Sequence, residues 1–506
     1  MNIKEAKEQI EKAVRIYLMK DAYGNYRIPI ERQRPVFLLG APGIGKTAVM
    51  SQVAQDLDVA LVSYSMTHHT RQSALGLPFI SHKNYQGKEF DVSEYTMSEI
   101  VASVYEAMEV SGKKEGILFL DEINCVSETL TPSMLQFLQY KTFGKHQIPE
   151  GWVVATAGNP PQFNRSVREF DIVTMDRLKV MEIEPDYDAW RGYAVNRGVH
   201  SVILTYLDIK KGDFYIIENT VDGKSYVTAR GWEDLSETIY LYEEQGFLVD
   251  ETLIGQYLRN PRVVREFASY YDLYQKYKKD YQVHQILSGE ADRDIRKRAQ
   301  QAPFDERLSL MGLLLEALQQ DIRKNVELED AMLKLLNELK EVKERLSAEP
   351  KAEISAQKVL QNQVEGVKQR MAKEDQANAL SDADRRAYQL IIRTLQRDMQ
   401  DIRLGDITDA AAAFNLIKNS FDRDVLKMRS QADEISGELS NLFEFVEKVF
   451  GNGNEMLILV TDLTVNYNSA KFISRKGCEE YYKYNKKFQL YERQQEIAHA
   501  LEQLQL

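Results

Sequence analysis

Residues Arg34 to Thr47 read Arg-Pro-Val-Phe-Leu-Leu-Gly-Ala-Pro-Gly-Ile-Gly-Lys-Thr. The apolar run Val36 to Leu39 predicts a buried parallel strand. Its end is Gly-x-x-x-x-Gly-Lys-Thr, and a helical pattern follows from Ala48 to Leu57. Strand before and helix after is the context a phosphate-binding loop requires. The backbone from Gly40 through Ala41, Pro42, Gly43, Ile44 and Gly45 to Ala48 can curl its N–H groups around a triphosphate, and the helix N-terminus adds its dipole. Lys46 is placed to reach the β- and γ-phosphates, and the Thr47 hydroxyl to ligate Mg2+. The plain alternative is a glycine-rich turn with an incidental lysine.

Two further strand ends carry polar residues. Gly116 to Leu120 is apolar and ends in Asp121-Glu122. Asp121 is suited to hold Mg2+ through its water shell, and Glu122 to polarise an attacking water. Trp152 to Gly158 ends in Asn159, before Pro160-Pro161. Asn159 can hydrogen-bond a γ-phosphate, since α/β sites lie at the carboxyl ends of strands; it can also simply form the turn before the prolines. Met175-Asp176-Arg177-Leu178 precedes a fifth strand, Lys179 to Ile183, and a second is expected over Ala60 to Tyr64. Residues 1–20 carry a helical stripe, and so do Ile100, Val104 and Met108. Residues 65–97, with the pair His68-His69, read as a polar loop; no third ligand stands at metal spacing.

The chain has 506 residues and a formal net charge of −12. The length predicts three or more domains. The acidic balance argues against a general nucleic-acid binder, which needs clustered Lys and Arg. No apolar stretch has the length of a signal core or a membrane span. Cys125 and Cys478 read as reduced thiols. A cytoplasmic protein is the expectation.

The order of these motifs, with the later Thr228-Ala229-Arg230-Gly231-Trp232, resembles the AAA+ ATPases over residues 31–275, and within them the MoxR-like, dynein-related branch. The resemblance implies an αβα nucleotide-binding core over 1–185 and a helical lid over 186–275. It matches Asn159 to the sensor 1 position, Arg177 to the arginine finger that reaches a neighbour's ATP, and Arg230 to sensor 2. Relatives usually show Phe where Leu178 stands and Pro where Ala229 stands. Arg168 and Arg165 are rival fingers, Arg177 can instead pair with Asp176, and Arg230 can be a solvated helix-end arginine. The resemblance further implies an insert within 65–115, a hexameric ring, and a protein partner bearing a von Willebrand factor A domain.

Beyond the lid, Pro and Gly become rare. Leu328, Met332, Leu335, Leu339, Val342 and Leu346 alternate by four and three; so do Leu360, Val364, Val367 and Met371, then Tyr388, Ile392, Leu395, Met399 and Ile402, then the run Phe421 to Val449. These heptad seams predict an all-α bundle or helical hairpin over 276–450, followed by a helical segment over 451–506. Met456 to Val465 alone also fits a strand. Tyrosines among the lysines after Gly477 can stack bases or merely pack. The expected reaction is ATP hydrolysis with Mg2+, and the expected work is remodelling or maturing a protein. A nucleic-acid motor or restriction-type translocase is the alternative, and an ATP-binding scaffold the second.

Overall fold

The computed structural model describes residues 1–68, 74, 76–143, 145–163, 167–220, 223–348, 356–376 and 380–487. His69, Arg165, Asp222, Pro350 and Tyr491 lie outside them. The chain forms two compact units. One holds residues 1–190, 228–230 and 372–380; the other holds 191–227, 231–371 and the described residues from Ser381 onward.

The first unit is built on a parallel sheet of β1 (Val36–Gly40), β2 (Ala60–Ser65), β5 (Gly116–Asp121), β8 (Trp152–Gly158) and β9 (Lys179–Ile183), in the order β2-β5-β8-β1-β9. Strands covered on both faces must be apolar throughout, and every residue of β8 is buried. Register brings the carboxyl ends together: Ser65 lies opposite Asp121, and Leu39 opposite Gly158. The helices are α1 (Ile3–Tyr17), α2 (Lys46–Asp56), α3 (Glu99–Ser111), α4 (Thr131–Tyr140) and the short α5 (Ile172–Met175). The Asn2 side chain and Glu5 cap α1 reciprocally. Phe37, Leu118, Val154, Val104 and Phe137 share one core, where Phe137 stacks on Phe143 at 4.2 Å.

Two small hairpins decorate this unit: β3 (Pro78–Tyr85) with β4 (Lys88–Tyr95), and β6 (Thr142–Phe143) with β7 (His146–Gln147). The first replaces part of the polar loop expected over 65–97. Its turn residues Gln86 and Gly87 have φ of 54° and 82°, which suits a tight hairpin turn. Phe79, Ile80, Tyr85, Phe90 and Tyr95 are exposed on it. Its half-buried face carries Ser81, Lys83, Val92 and Glu94, so the apolar alternation that betrays a strand is missing.

Lys141 ends α4 in left-handed backbone, is 1 % exposed, and donates its amine to the Leu138 carbonyl. Burial pushes this ammonium down to about 7, against the pull of Glu31. An unfolded lysine titrates near about 10.4. Between those values the unfolded chain holds a proton that the folded chain does not, so stability rises with pH there and is lost as pH falls toward 7. Lys141→Met is therefore expected to stabilise this unit at pH 7, where the desolvated amine costs the fold most. Melting temperatures from pH 7 to 10 should rise in the native protein and stay flat in the variant.

The remaining helices are α6 (Tyr187–Arg197), α7 (Ser201–Ile209), α8 (Ala229–Gln245), α9 (Glu251–Tyr257), α10 (Pro261–Asp280), α11 (Val283–Leu287), α12 (Arg293–Gln301), α13 (Phe304–Ala348), α14 (Ala356–Gln376), α15 (Asp382–Leu404), α16 (Ala410–Phe450), α17 (Asn454–Val465) and α18 (Tyr467–Lys476). A small antiparallel hairpin pairs β10 (Ile216–Thr220) with β11 (Gly223–Val227). In the second unit Tyr206, Trp232 and Phe267 pack ring to ring at 5.2 to 5.8 Å. Gly312 lets α13 approach α7, since a Cβ there would lie 2.5 Å from the Thr205 methyl. Arg191 is clamped between Asp208 (2.8 Å) and Asp462 (2.7 Å). Asn466 donates to the Val195 carbonyl at 3.3 Å, so the start of α18 packs on the segment that begins this unit.

The all-α bundle is there. Leu335, Leu339, Val342, Leu360, Val364, Val367, Leu395 and Ile402 are buried in one cluster, as the heptads predict. On α15 the buried stripe is turned by one residue: Ile391 and Asp398 are interior, whereas Ile392 and Met399 are only partly buried. Met456 to Val465 is helical, which removes the strand alternative.

Candidate functional site

The site is assembled from the ends of β1, β2, β5 and β8 and the start of α2. Gly43 and Gly45 have φ of 73° and 90°, the left-handed backbone that curls the loop and that glycine adopts without steric cost. Lys46 follows, 8 % exposed. Its amine donates to the Gly40 and Ala41 carbonyls, each at 2.8 Å, and to Asn159 Oδ1 at 2.9 Å. Burial holds the amine down at about 8, against the pull of Asp121 and Glu122 and with a push from the Arg230 charge. A buried cation beside a second cation, fed by glycine N–H groups, fits a polyanion.

Thr47 Oγ1 donates to Asp121 Oδ2 at 2.7 Å. A hydroxyl and a carboxylate meeting at one point are hard oxygen donors of the kind Mg2+ takes, usually with water completing its shell. Asp121 Oδ1 accepts from the Glu122 backbone N–H at 2.9 Å. Glu122 itself has φ of 55°, an uncommon conformation for a residue with a Cβ. Its carboxylate accepts from Ser65 Oγ at 3.2 Å and Thr67 Oγ1 at 3.0 Å. Backbone and side chain are thus both fixed.

Asn159 is tethered from behind. Asn124 Nδ2 donates to its carbonyl at 2.8 Å, and Gly158 must be glycine because a Cβ would lie 2.5 Å from Asn124 Oδ1. That Asn124 oxygen is buried without a protein partner. Arg230 joins the loop through its backbone, donating to the Gly43 carbonyl at 3.3 Å, while its side chain is exposed.

The sequence-derived residues Lys46, Thr47, Asp121, Glu122, Asn159 and Arg230 therefore converge. Arg177 does not join them. It is exposed after α5, and among the described residues it makes no ion pair; Asp176 instead faces Arg34 at 3.8 Å. Arg168 is paired with Glu128. Sequence reasoning missed Ser65, Thr67 and Asn124. Ser65 stands one residue beyond the expected strand, and only the strand order sets it opposite Asp121.

The sheet order, the loop between β1 and α2 and the acidic end of β5 define a phosphate-loop nucleotide-binding domain. Residues 36–175 match the ATPase family associated with various cellular activities (AAA). No curated protein matches the chain. Among the described residues no helix is long and apolar enough to cross a membrane.

Proposed function

We propose that this chain is a Mg2+-dependent ATPase that works in a ring of like subunits and spends each turnover on remodelling or maturing a protein partner. The observation that carries the reading is the 2.7 Å Thr47–Asp121 hydrogen bond beside the buried Lys46 amine. Thr47 and Asp121 would hold Mg2+, which supplies charge neutralisation between phosphate oxygens. Lys46 and the backbone from Gly40 to Ala48 bind the phosphates. Glu122 orients and deprotonates the attacking water. Asn159 senses the terminal phosphate, and Arg230 reports nucleotide state from the start of α8, the first long helix of a lid over 186–275. Arg177, exposed and without an ion-pair partner among the described residues, suits a finger offered to a neighbouring subunit better than the paired Arg168. The hexameric stoichiometry, the MoxR-like branch and a partner with a von Willebrand factor A domain rest on motif resemblance. The acidic chain favours a protein client over a nucleic acid.

The test is turnover by the full chain. Activity is expected to vanish in Lys46→Ala and in Arg177→Ala, and to return in part when the two are mixed, because one interface then pairs an intact Lys46 with an intact Arg177. No recovery in mixtures shown to contain both chains would overturn the shared site. Stimulation by duplex DNA, and none by an unfolded polypeptide, would shift the reading to a nucleic-acid motor.

A further inference from the structure

Asp398 lies on the buried stripe of α15, whose other members are apolar apart from Thr394. Ile391, Leu395 and Ile402 share its buried stripe on α15, and its side chain is 1 % exposed. The facing stripe of α16 is Ala413, Ile417 and Ser420, all buried. Ser420 Oγ donates to Asp398 Oδ1 at 2.9 Å. Arg397 stands 3.5 Å from that same oxygen, but it is committed to Asp424 at 2.8 Å and to Ser420 at 2.7 Å, and it is largely in solvent. Asp398 Oδ2 is buried with no partner at all. On α14, Gln363 gives its amide hydrogens to Glu338 and Glu341 and keeps a buried, unpartnered Oε1. Among the described residues, Asp398 Oδ2 and Gln363 Oε1 are thus two buried acceptors in the bundle without a donor.

A carboxylate in that position bears a desolvation cost that a proton on Oδ2 removes. We propose that Asp398 is carried as the neutral acid in the folded bundle, and that its ionisation loosens the α15–α16 pair, so that a single proton locks the two helices together. The surrounding charges do not supply a substitute. On α15 these are Arg397 and Asp401; on α16, Asp424. On α13, Glu338 and Glu341 are turned to Gln363 and Lys343 to the Phe414 ring, while Arg370 of α14 is taken by Glu338. Burial pushes the Asp398 carboxyl up, opposed by Ser420 and Arg397 and aided by Asp401. A folded value above the unfolded one means that the stabilisation is complete below the unfolded value and is lost as pH rises through the folded one. The helix pair therefore opens more readily as pH rises. A lone polar side chain in a helical seam commonly fixes register, and here it would also make the register sensitive to protons.

The experiment is hydrogen exchange on the full chain from pH 4 to 8, corrected for intrinsic exchange, read on peptides within 387–404 and 410–424. In the native protein the opening constant is expected to rise with pH, by at most about tenfold per pH unit, the limit for one proton. Asp398→Asn keeps a neutral donor in place of the acid and is expected to abolish the rise. Asp398→Leu is expected to abolish it too and to open less at every pH, and it serves if the amide variant fails to fold. Asp401→Asn should leave the rise intact. A native protein that opens equally at pH 4 and 8, or a leucine variant that retains the native pH dependence, would overturn the proposal.

Discussion

Glu122→Gln is expected to bind ATP as the native protein does and to release phosphate about 100- to 10,000-fold more slowly, the range for loss of a positioned general base. The two properties separate because the groups that would grip phosphate and Mg2+ are elsewhere: the Lys46 amine, the loop backbone and the Thr47–Asp121 pair. Among the described residues the Glu122 carboxylate accepts side-chain hydrogen bonds from Ser65 and Thr67. Glutamine keeps the size and can still meet both hydroxyls, yet cannot take a proton. The left-handed backbone at residue 122 is no harder for glutamine than for glutamate. Binding by a fluorescent nucleotide and phosphate release in the same preparation check both halves. Native turnover in the variant would remove Glu122 from the chemistry.

Arg191→Met is expected to cost the second unit about 3–5 kcal/mol at neutral pH, the usual penalty for removing one partner of a buried ion pair. Arg191 spans two carboxylates, Asp208 and Asp462, whose side chains are 18 % and 12 % exposed. Without the guanidinium the two carboxylates lose the charge they share. Asp462 already lies above its ordinary range, because burial outweighs the pull of Arg191. In the variant that pull is gone, so the carboxyl rises further and its folded form binds a proton that the unfolded form releases. The variant therefore regains stability as pH falls, whereas the native protein has less to gain. Denaturant titrations of both proteins at pH 5 and pH 8 check the cost and its sign. The same clamp bears on truncation: a chain cut after residue 275 loses Asp462 and Asn466, both of which pack on residues 191–195.

The nucleotide site was largely legible because each of its residues sits in a short motif at the end of an apolar strand. Lys46, Thr47, Asp121, Glu122 and Asn159 needed no knowledge of distant partners. Ser65, Thr67 and Asn124 needed it: each is an ordinary polar residue until the strand order brings it to Glu122 or Asn159. The hairpin of β3 and β4 escaped because its half-buried face carries Ser81, Lys83 and Glu94, polar residues that write no apolar period into the sequence. The α15 seam was misjudged by one residue because an interior aspartate does not count as apolar, and Ile392 and Met399 look better than Asp398 on a heptad. Arg191 with Asp462 was beyond reach, since nothing local marks partners so far apart in the chain.

One feature of the second unit bears on how movement would travel. α13 runs unbroken for 45 residues, and Gly312, near its start, is where it touches α7. At about 1.5 Å per residue the stretch from Gly312 to Ala348 is about 54 Å long. A tilt of about 5° at that contact would sweep the far end through about 5 Å, close to the pitch of one helical turn. The helix is a lever with its fulcrum at a glycine: a larger side chain at residue 312 would shift the pivot, not merely loosen the packing.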